Sequence, residues 1–484
     1  MRVPAAAGEF FQGPGSLRRN TAILVVGAVS FLILVATVLF GIPMPITFAG
    51  AVLAAVALAA MLYPEVGLHA LVINSLVGLT HITELPRLGP LSIPIAFELI
   101  LTVAIAAQVM LARRRLFLRA PQHALLLGLI GWSIISLLVN GHVTPENLGA
   151  FRNLLLARAL VFFLLTNILA GEAALKRLVA VAAVSNVGLI LSSILARLGA
   201  FGDEKIYIEQ KMLRTQGLVQ NPNNLAFDLT TMFILAVFTF FWVERRWVRG
   251  LLLGIAIADC VVILSTLSRS GFISLVVVLL FMFFRLTRGA RAMTIVLMIA
   301  VLLGVLSQTN LVKRFARMDE LRDVDRIDYA VVGMNAALAN PVFGVGFGNF
   351  LREFDTYNTR DLTRPLPTHN MYLDLSSSSG FPALLAFLAV IAITWRRSRR
   401  MEADLRARGE QRSFAFLFNL AMQCFLVNLC VFGLSGDVQF EYSVFIMIGF
   451  GVLLHEGHRA AGGDRLRAAK HDGPRDVPAA VGPA

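Results

Sequence analysis

Three polar segments, each at the end of an apolar run, carry side chains fit for chemistry. They read Arg214-Thr-Gln-Gly217-Leu-Val-Gln-Asn221-Pro222-Asn223-Asn224, Leu267-Ser268-Arg269-Ser270-Gly271 and Thr368-His369-Asn370-Met371-Tyr372. A guanidinium binds oxyanions bidentately and keeps its charge at any physiological pH, so Arg214 and Arg269 suit an anionic group. Imidazole is nearly balanced at neutral pH, which makes His369 a candidate proton acceptor. Asn221, Asn223 and Asn370 can orient a polar ligand or the loops themselves. Arg152, inside an apolar run, is a further candidate cation.

The elements that must hold these residues are membrane helices. Of 484 residues, 57% are hydrophobic and only 15% charged, against about 25% charged in soluble domains. Apolar runs recur along the chain and predict an all-α, polytopic protein of about 14 transmembrane helices. The net charge of +13 sits in short Arg-rich loops around Arg18, Arg113 to Arg119, Arg245 to Arg249, Arg285 to Arg291 and Arg396 to Arg412, the pattern of positive-inside charge and not of nucleic-acid binding. Strict alternation then gives a cytoplasmic N-terminus at 1–20, transmembrane helices 1–11 at 21–308 with an outer loop at 197–222, and a large extracytoplasmic loop at 309–371. Helices 12–14 follow at 372–455, and a disordered basic cytoplasmic tail at 456–484. In the large loop Tyr329, Val332, Met334, Ala336 and Leu338 predict an apolar helical stripe over Ile327 to Ala339, ended by Asn340-Pro341, as part of a helical periplasmic cap.

Ionisable residues inside hydrocarbon are costly and default functional candidates. Glu98, Arg152 and Asp228 fall about five residues from the outer ends of their spans, roughly 7 Å at helical rise, where ion pairing or snorkelling competes with a catalytic role. Arg158 and Asp259 fall near mid-membrane, and their matched depth predicts a buried pair. The three cysteines lie in apolar runs and the histidines show no ligand spacing, so no metal site or cofactor is expected. Asp323-Val-Asp325 has a metal-holding spacing, but Arg322 and Arg326 favour a solvated helix. Gly344, Gly346 and Gly348 read as turn and close-packing glycines, since no strand precedes them.

The three segments, with Asn340-Pro341-Val-Phe-Gly344-Val-Gly346-Phe-Gly348-Asn349-Phe350 between the second and third, resemble in this order the O-antigen ligase and Wzy polymerase superfamily, over about Leu148 to Leu388. The resemblance implies a polytopic glycosyltransferase of the bacterial inner membrane, with both termini cytoplasmic and an extracytoplasmic site. It implies an undecaprenyl-diphosphate-linked glycan as donor, and another glycan, a lipid A core or a different hydroxyl as acceptor. It carries donor diphosphate binding onto Arg214 and Arg269 and the functional histidine onto His369, with Arg152 as a third cation. Two departures stand out: Ser376-Ser377-Ser378-Ser379-Gly380-Phe381-Pro382-Ala383 replaces the family's acidic residue before a Gly-Leu-Pro-Gly-like turn, and the spans exceed the twelve of many ligases. The span count leans the reading toward polymerisation. A lipid-linked oligosaccharide flippase or other secondary transporter is the rival reading, because many spans and buried charges also suit transport.

Overall fold

The computed structural model describes residues 63–78, 99–103, 120–198 except 142, 207–209, 212–215, 218, 221–286, 288–307 and 323–471. The spans expected at Thr21 to Gly41 and Ile46 to Leu62, most of that at Ile93 to Ala112, and Glu98 lie outside these residues. The described chain begins with α1 (Pro64–Val77), α2 (Pro121–Val139), α3 (Pro145–Ala150), a π-helical segment (Phe151–Leu156), α4 (Ala157–Ile168) and α5 (Gly171–Arg197). A hairpin of β1 (Tyr207–Glu209) and β2 (Met212–Arg214) follows, antiparallel and pairing Tyr207 with Arg214. Then come α6 (Pro222–Trp242), α7 (Arg246–Ser265), α8 (Arg269–Arg285), α9 (Arg288–Ser307), α10 (Asp323–Ala339), α11 (Phe354–Tyr357), α12 (Met371–Ala407), α13 (Phe414–Phe432) and α14 (Tyr442–His471). Among the described residues six helices, α2, α5, α6, α7, α12 and α13, are long and apolar enough to cross a membrane. The protein is a helical integral membrane protein.

The core is built where helices are apolar all round. In α6 and α13 most residues are buried, among them Phe227, Phe233, Phe238, Phe418, Phe425 and Phe432. Helices such as α2 and α7 bury a smaller share of their apolar residues, as expected where lipid replaces protein as the neighbour. Buried Asn428 of α13 bonds Thr231 of α6 and Ser274 of α8, joining three helices at one depth.

Four expectations change. The run Leu148 to Ala170 is wound as α3, a π segment and α4, not as one regular helix; π winding inserts a residue and re-aims side chains, and it concentrates at functional sites. Helix α12 continues past Trp395 to Ala407 because its polar end pairs with itself and its neighbours. Glu402 accepts from Arg399 at 2.8 Å, Arg406 at 2.9 Å and Gln423 of α13 at 3.0 Å, and also pairs with Arg285 of α8. The tail expected to be disordered from residue 456 is helical to His471. Arg397 pairs with Glu456 at 2.9 Å and His458 with Asp404 at 2.7 Å, so the end of α12 fastens the middle of α14. In α10, finally, Tyr329, Val332 and Ala336 face a small core with Val345, Phe350 and Phe354, whereas Met334 and Leu338 are exposed on another face.

Candidate active site

His369 precedes α12 with φ at +51°, a left-handed conformation that costs a non-glycine residue of order 1 kcal/mol and persists only where surroundings enforce it. Asn370 is the enforcing cap. Its Oδ1 accepts from the Tyr372 and Leu373 amides at 3.0 and 3.1 Å, and its Nδ2 donates to the Leu434 carbonyl at 3.0 Å. Thr368, buried before it, donates from Oγ1 to the Asn370 carbonyl at 3.1 Å. The Met371 amide donates to the Gly433 carbonyl at 2.8 Å.

The partner of this helix start is the connection from α13 to α14, residues 433–441, which the motif reading did not single out. Asp437 Oδ1 lies 3.7 Å from His369 Nδ1, ion-pair rather than hydrogen-bond distance, and both side chains are about one-third exposed, at 36% and 29%. A carboxylate facing Nδ1 favours the proton there and leaves Nε2 as the basic nitrogen. Gln439 donates to Asp374 Oδ2 at 2.5 Å, Ser435 to Ser270 Oγ at 2.7 Å, and Asn224 to Glu441 Oε1 at 2.6 Å. Desolvation pushes the Glu441 carboxyl up, with Arg158 opposing. The run Asp437-Val438-Gln439-Phe440-Glu441, two acids in a short connection between apolar helices, was the available signal.

This connection joins the sequence segments. Arg269 is the first residue of α8, after Ser268, whose Oγ accepts from the Gly271 amide at 3.2 Å and donates to Asn223 Oδ1 at 2.8 Å. Leu267, one residue earlier, has φ at +52°. A Cβ on Gly271 would stand 2.5 Å from that of Ala226, so glycine lets α8 start hard against α6. Asn221 caps α6, its Oδ1 accepting from the Asn223 amide at 2.8 Å. Arg214 ends β2, and the next residue binds the end of α7: the Thr215 amide donates to the Ser265 carbonyl at 3.2 Å, and Ser265 Oγ to Thr215 Oγ1 at 2.9 Å. Arg152 lies exposed in the π segment. Its neighbour Phe151 meets Phe347 edge-on at 5.8 Å, and Phe347 meets Phe440 at 5.6 Å, so Arg152's segment reaches the same connection. The structure thus gathers His369, Asn370, Arg269, Asn221, Asn223 and the backbone of Arg214 at one end of the bundle, and the segment that carries Arg152 reaches the same connection through Phe347.

The expected Arg158–Asp259 pair does not form. Asp259 of α7 accepts from Asn186 of α5 at 3.0 Å, while Arg158 of α4 lies 4.7 Å over the Tyr442 ring of α14 and feels Asp228 and Glu441. Depth along two helices does not fix which helices are neighbours: α4 packs on α14, and α7 on α5 and α6. Because the two sites share no partner, Arg158→Met and Asp259→Asn are expected to lower thermal stability additively, within about 0.5 kcal/mol. A double variant more stable than the worse single one would restore the pair.

Close backbone packing joins α12 to the glycine-rich turn. Gly380 breaks α12 at φ +79°, and a Cβ there would lie 2.1 Å from the Val342 carbonyl oxygen; one on Gly344, at φ +63°, would lie 2.5 Å from the Ser377 oxygen. Gly380→Ala is therefore expected to destabilise the protein by more than the roughly 1–3 kcal/mol of backbone strain alone, read as a lower melting temperature in detergent. Gly250→Ala, with nothing within 4 Å, should show no such loss. Asp323 and Asp325 are the first and third residues of α10, positions on different faces of a helix. Among the described residues no group of three His, Cys, Asp or Glu side chains could hold a metal. An apolar groove of about 500 Å³ runs between α8 and α9 from Phe272, one turn after Arg269, to Phe284.

Residues 254–388, from within α7 to the first half of α12, match the family model described as O-antigen ligase. That part of the chain is thus similar to the O-antigen ligase family. It contains Arg269, the glycine-rich turn, His369 and Asn370, whereas Arg152, Arg214, Asn221, Asn223 and Asp437 lie outside it. No curated protein matches the chain.

Proposed function

We propose that the protein is an inverting glycosyltransferase that moves a glycan from undecaprenyl diphosphate to an acceptor hydroxyl during surface polysaccharide synthesis, acting as a polymerase in preference to a ligase. The observation that carries this is the joining of His369, backed by Asp437, to the start of α8 at Arg269 through one connection. The acceptor oxygen attacks the anomeric carbon, the bond from that carbon to the diphosphate oxygen breaks, and His369 Nε2 takes the hydroxyl proton. Arg214, Arg269 and Arg152 hold the departing diphosphate, whose charge is spread over several oxygens. The apolar groove along α8 suits the donor's polyprenyl tail. Asn221, Asn223 and Asn370 orient the substrate by holding the loops in shape.

The wider reading comprises about 14 transmembrane helices, a bacterial inner-membrane location, cytoplasmic termini and an extracytoplasmic site under a cap. Single cysteines near Arg246, Arg288 and Arg400 should then resist an impermeant thiol reagent added outside cells, and those near Lys205 and Asp361 should label. The reverse pattern would invert the orientation. The function itself is tested by incubating purified protein with lipid-diphosphate glycan, with and without candidate acceptors, and sizing the products. Longer lipid-linked glycans from donor alone support polymerisation. Products only with a lipid A core support ligation, and no new glycosidic bond under any condition rejects the enzyme in favour of transport.

A further inference from the structure

Residues 323–371 read as a loop outside the membrane, yet part of this segment lies deep beside two membrane helices. Two measures of depth agree. Along α12, the Val345 amide donates to the Ser377 carbonyl at 2.8 Å and the Phe381 amide to the Pro341 carbonyl at 2.9 Å, seven to eleven residues below Asn370, about 10–16 Å at helical rise. Along α2, Trp132 Nε1 donates to the Val342 carbonyl at 3.2 Å and Ser136 Oγ to the Phe343 carbonyl at 2.6 Å. Trp132 is seven residues before Val139, where α2 ends, again about 10 Å.

The backbone of this turn is satisfied as hydrocarbon demands. Non-helical backbone at membrane depth is tolerated only where protein takes up its polar groups. The carbonyls of Pro341, Val342, Phe343 and Gly344 each accept from another segment, namely from Phe381, Trp132, Ser136 and, at 3.2 Å, Asn140 Nδ2. The glycines at 344 and 380 permit the contact, since a Cβ at either would collide with backbone. Helix α10 leads down to the turn: its Gly333 packs on Thr368 and Leu373, near the top of α12. After it the chain climbs again, with Asn349 Oδ1 accepting from Asn147 of α3 at 2.8 Å.

The outer side of the descending arm is apolar. Ile327, Met334 and Leu338 recur at helical spacing on the face opposite Tyr329, Val332 and Ala336, are 66%, 43% and 63% exposed, and lead to Val342 at 48%. On α2, the helix that the turn packs against, Leu138 is likewise 63% exposed. We propose that α10 and the Asn340–Gly346 turn form a re-entrant element at the His369 end of the bundle, the Leu338-to-Val342 end of its exposed stripe lying against bilayer acyl chains. The element holds the glycine-rich turn at fixed depth against α2 and α12, whatever reaction the site performs.

The test uses the full chain in nanodiscs, with Cys260, Cys424 and Cys430 replaced by alanine and one environment-sensitive fluorophore placed at Leu338→Cys or Val342→Cys. Leu138→Cys is the lipid-facing reference and Asp355→Cys, exposed on α11, the aqueous one. Labels at 338 and 342 should lose as large a share of fluorescence to lipids brominated on the acyl chains as the label at 138, and be spared by aqueous iodide. Quenching by iodide instead would overturn the proposal. Protection from both quenchers would also overturn it, by showing a protein surface such as a second copy over the stripe. Should the cysteine-free chain not fold, Leu338→Asp in the native chain must lower the melting temperature in nanodiscs, and an unchanged value overturns the proposal.

Discussion

Replacing His369 by alanine or asparagine is expected to slow glycan transfer by about a hundredfold or more, the usual contribution of a positioned general base, while donor binding stays near normal. Asparagine is the sharper substitution, because it tolerates the left-handed backbone found at φ +51° and so removes the base without releasing the turn. Asp437→Asn should slow transfer less, since Asp437 acts through His369 across 3.7 Å and does not itself take the proton. Its signature is a lower turnover with donor affinity unchanged. Normal transfer by both His369 variants would remove the proton-acceptor role and leave the arginine assignments standing.

The second large effect is expected at the arginines. Arg269→Ala and Arg214→Ala should weaken donor binding and transfer together, each losing charge-assisted hydrogen bonds worth about 1.5–3 kcal/mol, or tenfold and more in affinity. Lysine should restore only part, because an ammonium keeps the charge and loses the bidentate fork. Arg269 is held at the first turn of α8 by the Ser268 cap and by Gly271 against α6, so its backbone should not move on substitution. Arg214 sits at the end of a two-strand hairpin tied to α7 through Thr215. Donor titration and turnover measured on the same preparations separate the two predictions: the histidine variants lose rate alone, the arginine variants lose both. Normal binding and rate in both alanine variants would remove the diphosphate site.

What the sequence made legible here follows from local physics. Asn221-Pro222, Ser268 and Asn370 are N-cap residues at the ends of apolar runs, and each caps the helix that its position suggests. The stop at Asn340-Pro341 and the turn glycines at 344, 346 and 348 follow equally from backbone sterics. The azimuth of each helix and the identity of its neighbours were not legible. Arg158 and Asp259 share a depth and yet belong to different interfaces, because hydropathy fixes position along the membrane normal and nothing in the plane. Asp437 escaped for a related reason: its significance lies in facing His369, 68 residues away in sequence. The polar end of α12 read as a cytoplasmic loop and the chain from residue 456 as a disordered tail because their charges are unremarkable one by one, and only the Arg397–Glu456 and His458–Asp404 pairs make them one structure.

The stereochemistry of the bond formed tests the proposed chemistry most directly. Asp437 stands beside His369, and Asp374 is tied to the same connection through Gln439, so this end of the bundle offers both a base for direct displacement and a carboxylate that could form a covalent glycosyl intermediate. Purified protein supplied with a lipid-diphosphate glycan of known anomeric configuration, and the product linkage read by NMR, distinguishes the two. A single displacement with His369 as base predicts inversion of the anomeric centre in every new linkage. Retention would contradict it, moving the decisive role from the histidine to a carboxylate.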